Sequence, residues 1–108
     1  MDVLFLYMTM PDPQIARSLA EILVRERLVA CANIIDGMES FYWWQGAVEN
    51  ARESVCICKT TAAAYAAVEK RILELHPYDT PCIVALPVQQ GTSEFLRWVS
   101  REIGPPSS

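Results

Sequence analysis

The stretch at residues 28–46, LVACANIIDGMESFYWWQG, is the most informative part of this chain of 108 residues. Its aromatic run ends in two adjacent indoles, Trp43 and Trp44. Neighbouring residues of a strand point to opposite faces of the sheet, so both indoles cannot lie in the same core. A chain of this length has room for a single core. We therefore expect one of the two indoles to be covered by something outside the monomer.

The same stretch opens a predicted long hairpin. Strand-like residues run from 29 to 48, with a turn or bulge signal at Asp36-Gly37. A polar break at 49–52 separates them from a second strand at 54–60. The two strands are too long for one small sheet, and an isolated hairpin is only marginally stable in water. The hairpin therefore needs a partner surface.

The remaining segments complete an α+β pattern. They predict a strand at 3–9, followed by a helix that starts at Asp12-Pro13 and ends near 27. After the hairpin they predict a helix that is capped at 60–61 and stops before Pro77. A strand at 82–87 and a helix that begins at 91–93 follow. Phe95, Val99 and Ile103 of the last helix are expected to point inward. The order is that of a ferredoxin-like βαββαβ sandwich with an extra C-terminal helix. Helices cover one sheet face and leave the other apolar, and this fold names no function by itself.

Composition and charge exclude several functions. Hydrophobic residues make up 52% of the chain, which is high for one small domain and suggests burial between subunits. The formal net charge is −4, whereas nucleic-acid-binding proteins usually carry a basic surface. The apolar run at 3–8 is too short to span a bilayer, and it has neither a basic segment before it nor a cleavage site after it. We expect a cytoplasmic protein with no nucleic-acid or membrane partner.

The four cysteines, Cys31, Cys56, Cys58 and Cys82, stand in apolar, strand-like surroundings. They lack the CxxC spacing of zinc sites. Reduced, buried thiols are the expected state in a cytoplasmic protein. Cys56 and Cys58 lie on one face of a strand, where they either bind a soft metal ion or fill the core.

Five motifs in register resemble the CutA family, which is named for divalent-cation tolerance. They are 30–35 (ACANII), 40–46 (SFYWWQG), 59–60 (KT), 76–78 (HPY) and 86–87 (LP). The resemblance runs from about residue 3 to residue 103, and we expect one CutA-like domain at 1–103 with a disordered tail at 104–108. It implies a homotrimer similar to PII-type signal-transduction proteins, in which the long hairpins pair between subunits.

The resemblance also implies binding of metal ions, copper in particular, with no obligate cofactor. The family's described copper ligands are a cysteine late in the first strand and adjacent histidines before the Pro-Tyr motif. Here those positions hold Met8, Leu75 and His76, so His76 alone matches. Met8 is a thioether that suits Cu(I), and Cys31 is the best thiol candidate. Alternatively, His76 caps the C-terminal carbonyls of the second helix.

A second function class depends on Lys59. Its ammonium either reaches solvent along a flexible stem or binds an anion in a cleft between subunits, with Trp44 and Tyr78 lining that cleft. Family members usually carry an acidic residue at the position of Cys82, so either a hard oxygen ligand for a metal ion or a partner for Lys59 is missing there. The alternative function is therefore a PII-like small-molecule sensor or trimeric scaffold whose output is a partner protein.

A catalytic constellation is absent from the sequence. The sequence has a single histidine, no glycine-rich phosphate loop, and no paired carboxylates at a clear strand end. We therefore expect a protein that is not an enzyme. The leading hypothesis is a non-catalytic homotrimer of the divalent-cation-tolerance type that binds copper or a similar divalent metal.

Overall fold

The computed structural model describes residues 2–104 and contains four strands and three helices. In chain order they are β1 (Val3–Met10), α1 (Pro13–Arg25), β2 (Cys31–Trp44), β3 (Ala47–Thr61), α2 (Tyr65–Leu75), β4 (Ile83–Pro87) and α3 (Ser93–Glu102). Each pair of neighbouring strands is antiparallel, and the order across the sheet is β2-β3-β1-β4. This is the predicted ferredoxin-like α+β sandwich with one additional helix.

The first helix begins where the sequence predicts. The Asp12 carboxylate accepts a hydrogen bond from the Ile15 amide at 2.9 Å, and Pro13 occupies the first turn, where its missing N–H costs nothing. The helix ends at Arg25, slightly before the predicted end. Arg27 then adopts a positive φ of 58°, a conformation that stops a helix and turns the chain.

The second helix also stops where expected but starts later. The Thr61 hydroxyl accepts a hydrogen bond from the Ala64 amide at 3.3 Å, and the helix proper begins at Tyr65. The Thr60 hydroxyl donates instead to the Leu28 carbonyl at 2.7 Å, so it is not a cap. No helix in the described part of the chain is both long and apolar enough to cross a membrane.

The core lies between one sheet face and the helices α1 and α2. Its strand residues include Leu6, Met8, Met10, Cys56 and Cys58, each fully buried. Its helix residues are Ala16, Leu19, Ala20 and Leu23 of α1 with Val68 and Ile72 of α2. The C-x-C pair of β3 therefore fills part of the core, on the face that strand alternation assigns to it.

The opposite sheet face, here called the open face, carries Phe5, Ile35, Ile57, Val84 and Leu86. Ile35 and Leu86 are more than half exposed, at 55% and 53%. The prediction of an apolar, uncovered face is thus confirmed over most of the sheet. At one end α3 covers it.

The packing of α3 corrects part of the sequence prediction. Val99 is buried against Val3, and Ile103 packs on the same cluster, as predicted. Phe95 is 41% exposed, so its predicted inward orientation is wrong. Leu96 packs there instead, three positions before Val99 on the same helix face.

The hairpin turn lies at Gln45-Gly46, so its predicted position at 49–52 is wrong. Gln45 and Gly46 have φ of 50° and 81°, which is the pattern of a two-residue type I′ turn that matches strand twist. Residues 49–52 continue β3. The β2–β3 register shifts after Ile35, and Gly37 takes a φ of 81°, which confirms the bulge signal there.

The end of the hairpin projects beyond the sheet. β1 pairs with β3 only from Ser54 onward, whereas the β2–β3 ladder continues to the pair Trp44–Ala47. We call residues 38–53 the ribbon. Trp43 and Trp44 lie on its opposite faces, as predicted, with exposures of 75% and 47%. The expectation that something covers one of them stays a prediction.

The predicted tail is described at a single residue. The Gly104 amide donates a hydrogen bond to the Arg27 carbonyl at 2.9 Å, so this residue is attached to the loop after α1. Residues 105–108 lie outside the described part of the chain.

Candidate functional site

His76 lies directly after α2 and is 8% exposed. Its Nδ1 is 3.1 Å from the Tyr78 amide nitrogen, and its Nε2 is 2.8 Å from the Thr9 carbonyl oxygen. A backbone amide only donates, so Nδ1 accepts and the ring proton resides on Nε2, which donates to Thr9. The neutral ring therefore joins the end of α2 to the end of β1 with both nitrogens occupied.

The structure does not bring the predicted metal residues His76, Met8 and Cys31 together within one chain. Met8 is fully buried on the helix-covered face of β1. Cys31 pairs with Lys59 on the open face, so the two sulfurs lie on opposite sides of the sheet. Within residues 2–104, no three His, Cys, Asp or Glu side chains are grouped to hold an ion. The His76 ring bonds no α2 carbonyl, so the predicted ring cap of that helix is wrong; with both ring nitrogens bound to the backbone at Thr9 and Tyr78, neither is open to a metal ion in the single chain.

Trp44 and Tyr78 line one hollow of about 940 Å³, between the ribbon and the loop at 77–82. We call this space the hollow; Tyr7, Met38, Tyr42, Glu53, Asp79 and Cys82 also line it. The Tyr78 hydroxyl donates to a Glu53 carboxylate oxygen at 2.8 Å. Burial and this hydrogen bond raise the pKa of Tyr78 well above its ordinary value, so the phenol stays protonated.

Lys59 lies away from this hollow. Its ammonium bonds to the Asn33 side-chain oxygen and stands 5.7 Å from the centre of the Phe5 ring. Glu53, on the same strand, is six positions away, a separation of about 20 Å along an extended strand. The predicted cleft of Lys59, Trp44 and Tyr78 is therefore not formed within one chain.

The charge of the hollow also differs from that of an anion site. Glu53 and Asp79 line it, whereas no lysine or arginine of the described residues does so. An isolated carboxylate-lined hollow repels anions. Anion binding at Trp44 and Tyr78 would need a cation from outside the chain.

The cysteines differ from the predicted set of four buried thiols. Cys56 and Cys58 are fully buried, Cys31 is half-buried, and Cys82 is exposed because it lies in the loop before β4. The Cys56 and Cys58 sulfurs stand 3.8 Å apart. The hydrogen bond from Cys58 lowers the pKa of Cys56, while the same bond and burial raise that of Cys58 far above its ordinary value. The C-x-C spacing in the sequence predicts that these two thiols share one face of the strand.

Comparisons with known proteins match nearly the whole chain. The family model of the CutA1 divalent ion tolerance protein matches residues 4–102. The chain belongs to the CutA1 family. The Divalent-cation tolerance protein CutA of Thermus thermophilus is 44% identical over 96 residues, which cover 89% of this chain and 93% of that protein. Its counterpart in Archaeoglobus fulgidus is 38% identical over 99 residues, covering 92% and 96%.

Solved structures of CutA1-family proteins agree with this fold. CutA from Xylella fastidiosa superposes with a TM-score of 0.93 at 38% identity, covering 96% of this chain and 100% of that one. Cut A1 from Thermus thermophilus gives a TM-score of 0.92 at 41% identity, covering 94% and 99%. The five-motif resemblance is thus confirmed at the level of sequence and structure.

The names of CutA1 relatives point to several compartments. A rice relative is a chloroplastic protein, and the Archaeoglobus structure is of a periplasmic one. The cytoplasmic location expected from this sequence therefore stays a prediction.

Proposed function

We propose that this chain is a non-catalytic, cytoplasmic homotrimer that acts in divalent-cation tolerance and binds copper or a similar metal ion without an obligate cofactor. Family membership and the names of the Thermus and Archaeoglobus relatives support the divalent-cation role. The trimer and the metal ion are the two parts that need support from the chain itself.

The observation that carries the assembly is the apolar surface that a single chain exposes. On the ribbon, Phe41, Trp43 and Val48 are 68%, 75% and 59% exposed. The open face adds Ile35 and Leu86. Soluble monomers rarely expose contiguous apolar patches larger than about 300–600 Å². Such a surface is typical of a subunit interface.

The energy at stake is large for a chain of this size. One tryptophan buries about 200 Å², which stabilises by roughly 5 kcal/mol at about 25 cal/mol per Å². That is comparable with the whole stability of a small domain, about 5–15 kcal/mol. Covering the ribbon therefore decides whether the assembled state is favoured.

The arrangement of these surfaces is compatible with a closed ring. The ribbon and the open face are different surfaces, so a contact between the ribbon of one copy and the open face of the next is heterologous. Heterologous contacts end in a ring when the rotation closes and in a filament when it does not. A ring of three is the number that the family resemblance implies.

Isothermal titration of the purified protein with Cu(I), Cu(II) and Zn(II) tests the metal part. We expect saturable binding of copper that the His76→Ala variant retains, because both ring nitrogens are occupied by backbone partners. Absence of binding for every ion would contradict metal binding, and loss of binding in His76→Ala alone would restore His76 as a ligand.

A PII-like sensor or scaffold is the second candidate, and the hollow beside Trp44 and Tyr78 supports it. Because carboxylates line the hollow, an anionic metabolite could bind there only if Lys59 of a neighbouring copy supplied the positive charge. Thermal-shift screening with nucleotides and carboxylates, on the wild type and on Lys59→Ala, separates the two candidates. A metabolite response that needs Lys59 and no metal would favour the sensor.

A further inference from the structure

We propose that the hollow between the ribbon and the loop at 77–82 binds a small organic cation, namely an ammonium ion that carries alkyl groups. This goes beyond divalent-cation tolerance, because it assigns a different class of ligand to a place where no metal site is proposed. The charge, the aromatic walls and the size of the hollow support it.

The hollow carries negative charge that the chain leaves uncompensated. Glu53 and Asp79 both line it. Neither carboxylate forms a salt bridge with a lysine or arginine among residues 2–104. The Tyr78 hydroxyl donates to one Glu53 oxygen at 2.8 Å, and this neutral donor leaves the charge of the carboxylate in place. A positively charged ligand is therefore attracted to this space.

Aromatic rings surround these carboxylates. Tyr7, Tyr42, Trp44 and Tyr78 all line the hollow. Tyr42 and Trp44 are two positions apart on β2, so their rings share the ribbon face that also carries Glu53. The face of a tryptophan or tyrosine ring attracts a cation within about 6 Å of its centre, and grouped rings of this kind recognise alkylated ammonium ions. The hollow thus combines the two features that such an ion needs.

The same lining does not suit a metal ion. Hard divalent ions take about six to eight oxygen ligands that converge on one point. Within the described part of the chain, no three His, Cys, Asp or Glu side chains are grouped to hold an ion. An alkylated ammonium ion has no coordination geometry to satisfy, because it contacts whole rings. The hollow therefore favours an organic cation over the divalent ions of the proposed function.

The hollow is large enough for such a ligand and remains accessible. Its volume of about 940 Å³ lies within the range of about 300–1,000 Å³ that is typical of small-molecule sites. Tyr42 and Trp44 are 44% and 47% exposed. Trp43 lies on the other face of the ribbon, so a second copy that packs on Trp43 leaves the face of Trp44 free for a ligand.

Calorimetric titration of the purified wild type with choline tests whether charge is recognised. Choline is a trimethylammonium alcohol, and dimethylbutanol is its uncharged isostere, in which carbon replaces the ammonium nitrogen. We expect saturable binding of choline and an affinity for dimethylbutanol that is at least about 10-fold weaker. Equal affinities would overturn the proposal. Absence of choline binding would also overturn it, while the proposed metal binding would still be decided by its own titration with copper.

Three substitutions locate the site. Glu53→Gln removes the negative charge but keeps an oxygen that accepts from Tyr78, and it should weaken choline binding by about 5-fold. Trp44→Ala should weaken it by about 3–30-fold, the range of one cation–π contact. Phe95→Ala removes an exposed ring of α3 outside the hollow, so this matched control should bind choline like the wild type. Unchanged affinity in both Glu53→Gln and Trp44→Ala would overturn the site.

Nuclear magnetic resonance on the wild type does not depend on the folding or assembly of a variant. We expect nuclear Overhauser effects between the methyl protons of choline and the ring protons of tyrosine and tryptophan. Effects that reach aliphatic protons alone would overturn the proposal even if Trp44→Ala failed to fold.

Discussion

The two halves of β3 show what the chain stabilises by itself and what it leaves for a partner. From Ser54 to Thr61 the strand lies between β1 and β2, and its residues alternate between the core and the open face. From Ala47 to Glu53 it has only β2 beside it and is mostly exposed. One continuous ladder therefore joins a self-sufficient core to a ribbon whose apolar side chains need another surface.

The largest expected effect comes from breaking the core half. Leu23→Ala removes a fully buried side chain from the layer of α1 and should lower the free energy of unfolding by about 2–5 kcal/mol. Val48→Ala, in the exposed ribbon, is the matched control in the monomer. Urea unfolding at a concentration where the protein is monomeric measures both. An equal loss of unfolding free energy in the two variants would contradict the claim that the core half of β3 is stabilised within the chain and the ribbon half is not.

The next effect tests His76, at the junction of the two halves. His76→Ala leaves the Thr9 carbonyl and the Tyr78 amide without their ring partner, at a cost of about 1–3 kcal/mol. Thermal unfolding measures the loss, and His76→Gln is the conservative comparison. An unchanged melting temperature with lost copper binding would show that the ring serves a metal instead.

A smaller effect is expected at the tip of the ribbon. Gly46 has a φ of 81°, and a Cβ there would meet no heavy atom within 4 Å, so backbone strain alone opposes a side chain. Gly46→Ala should therefore cost about 1–2 kcal/mol. Denaturant unfolding measures it, and Gly46→Asn, which tolerates positive φ better, should cost less. An identical loss in both variants would argue against the strained turn.

The smallest effect concerns the helix layer that covers the core half. The Arg71 guanidinium bonds both Glu26 carboxylate oxygens at 2.9 Å and holds the pKa of that carboxyl below its ordinary value of 4.5. A lowered pKa means that the ion pair stabilises above about pH 4.5 and is lost as pH falls through the folded-state value. The melting temperature of Glu26→Gln should lie slightly below that of the wild type at pH 7, and the difference should shrink as the pH falls below about 4.5. A difference that stays constant down to the most acidic pH at which both proteins remain folded would contradict this.

The element order and the sheet faces were predictable because they depend on local periodicity. Alternation along β2 and β3 placed Cys56 and Cys58 on one face and the two indoles on opposite faces. The turn position was missed because Gln45 is an unusual residue for a positive φ, and polar residues at 49–52 suggested a turn while lying on an exposed strand.

The site was less predictable because its contacts join residues far apart in sequence. The Thr9 carbonyl that accepts the hydrogen bond from the His76 ring lies 67 positions away in sequence. Hydrophobic periodicity carries no information about such a contact. Periodicity likewise says which face Lys59 and Trp44 occupy, but not that they stand at different ends of the sheet. The family resemblance supplied residue roles without supplying these distances.

Light scattering of the purified wild type during gel filtration is the most direct test of the central claim, that the ribbon exists to join copies of this chain. We predict a stable species of three times the 12.1 kDa protomer mass. Replacement of a ribbon indole, Trp43→Lys or Trp44→Lys, should shift that species towards smaller masses. A stable 12.1 kDa monomer of the wild type at micromolar concentration would contradict the claim.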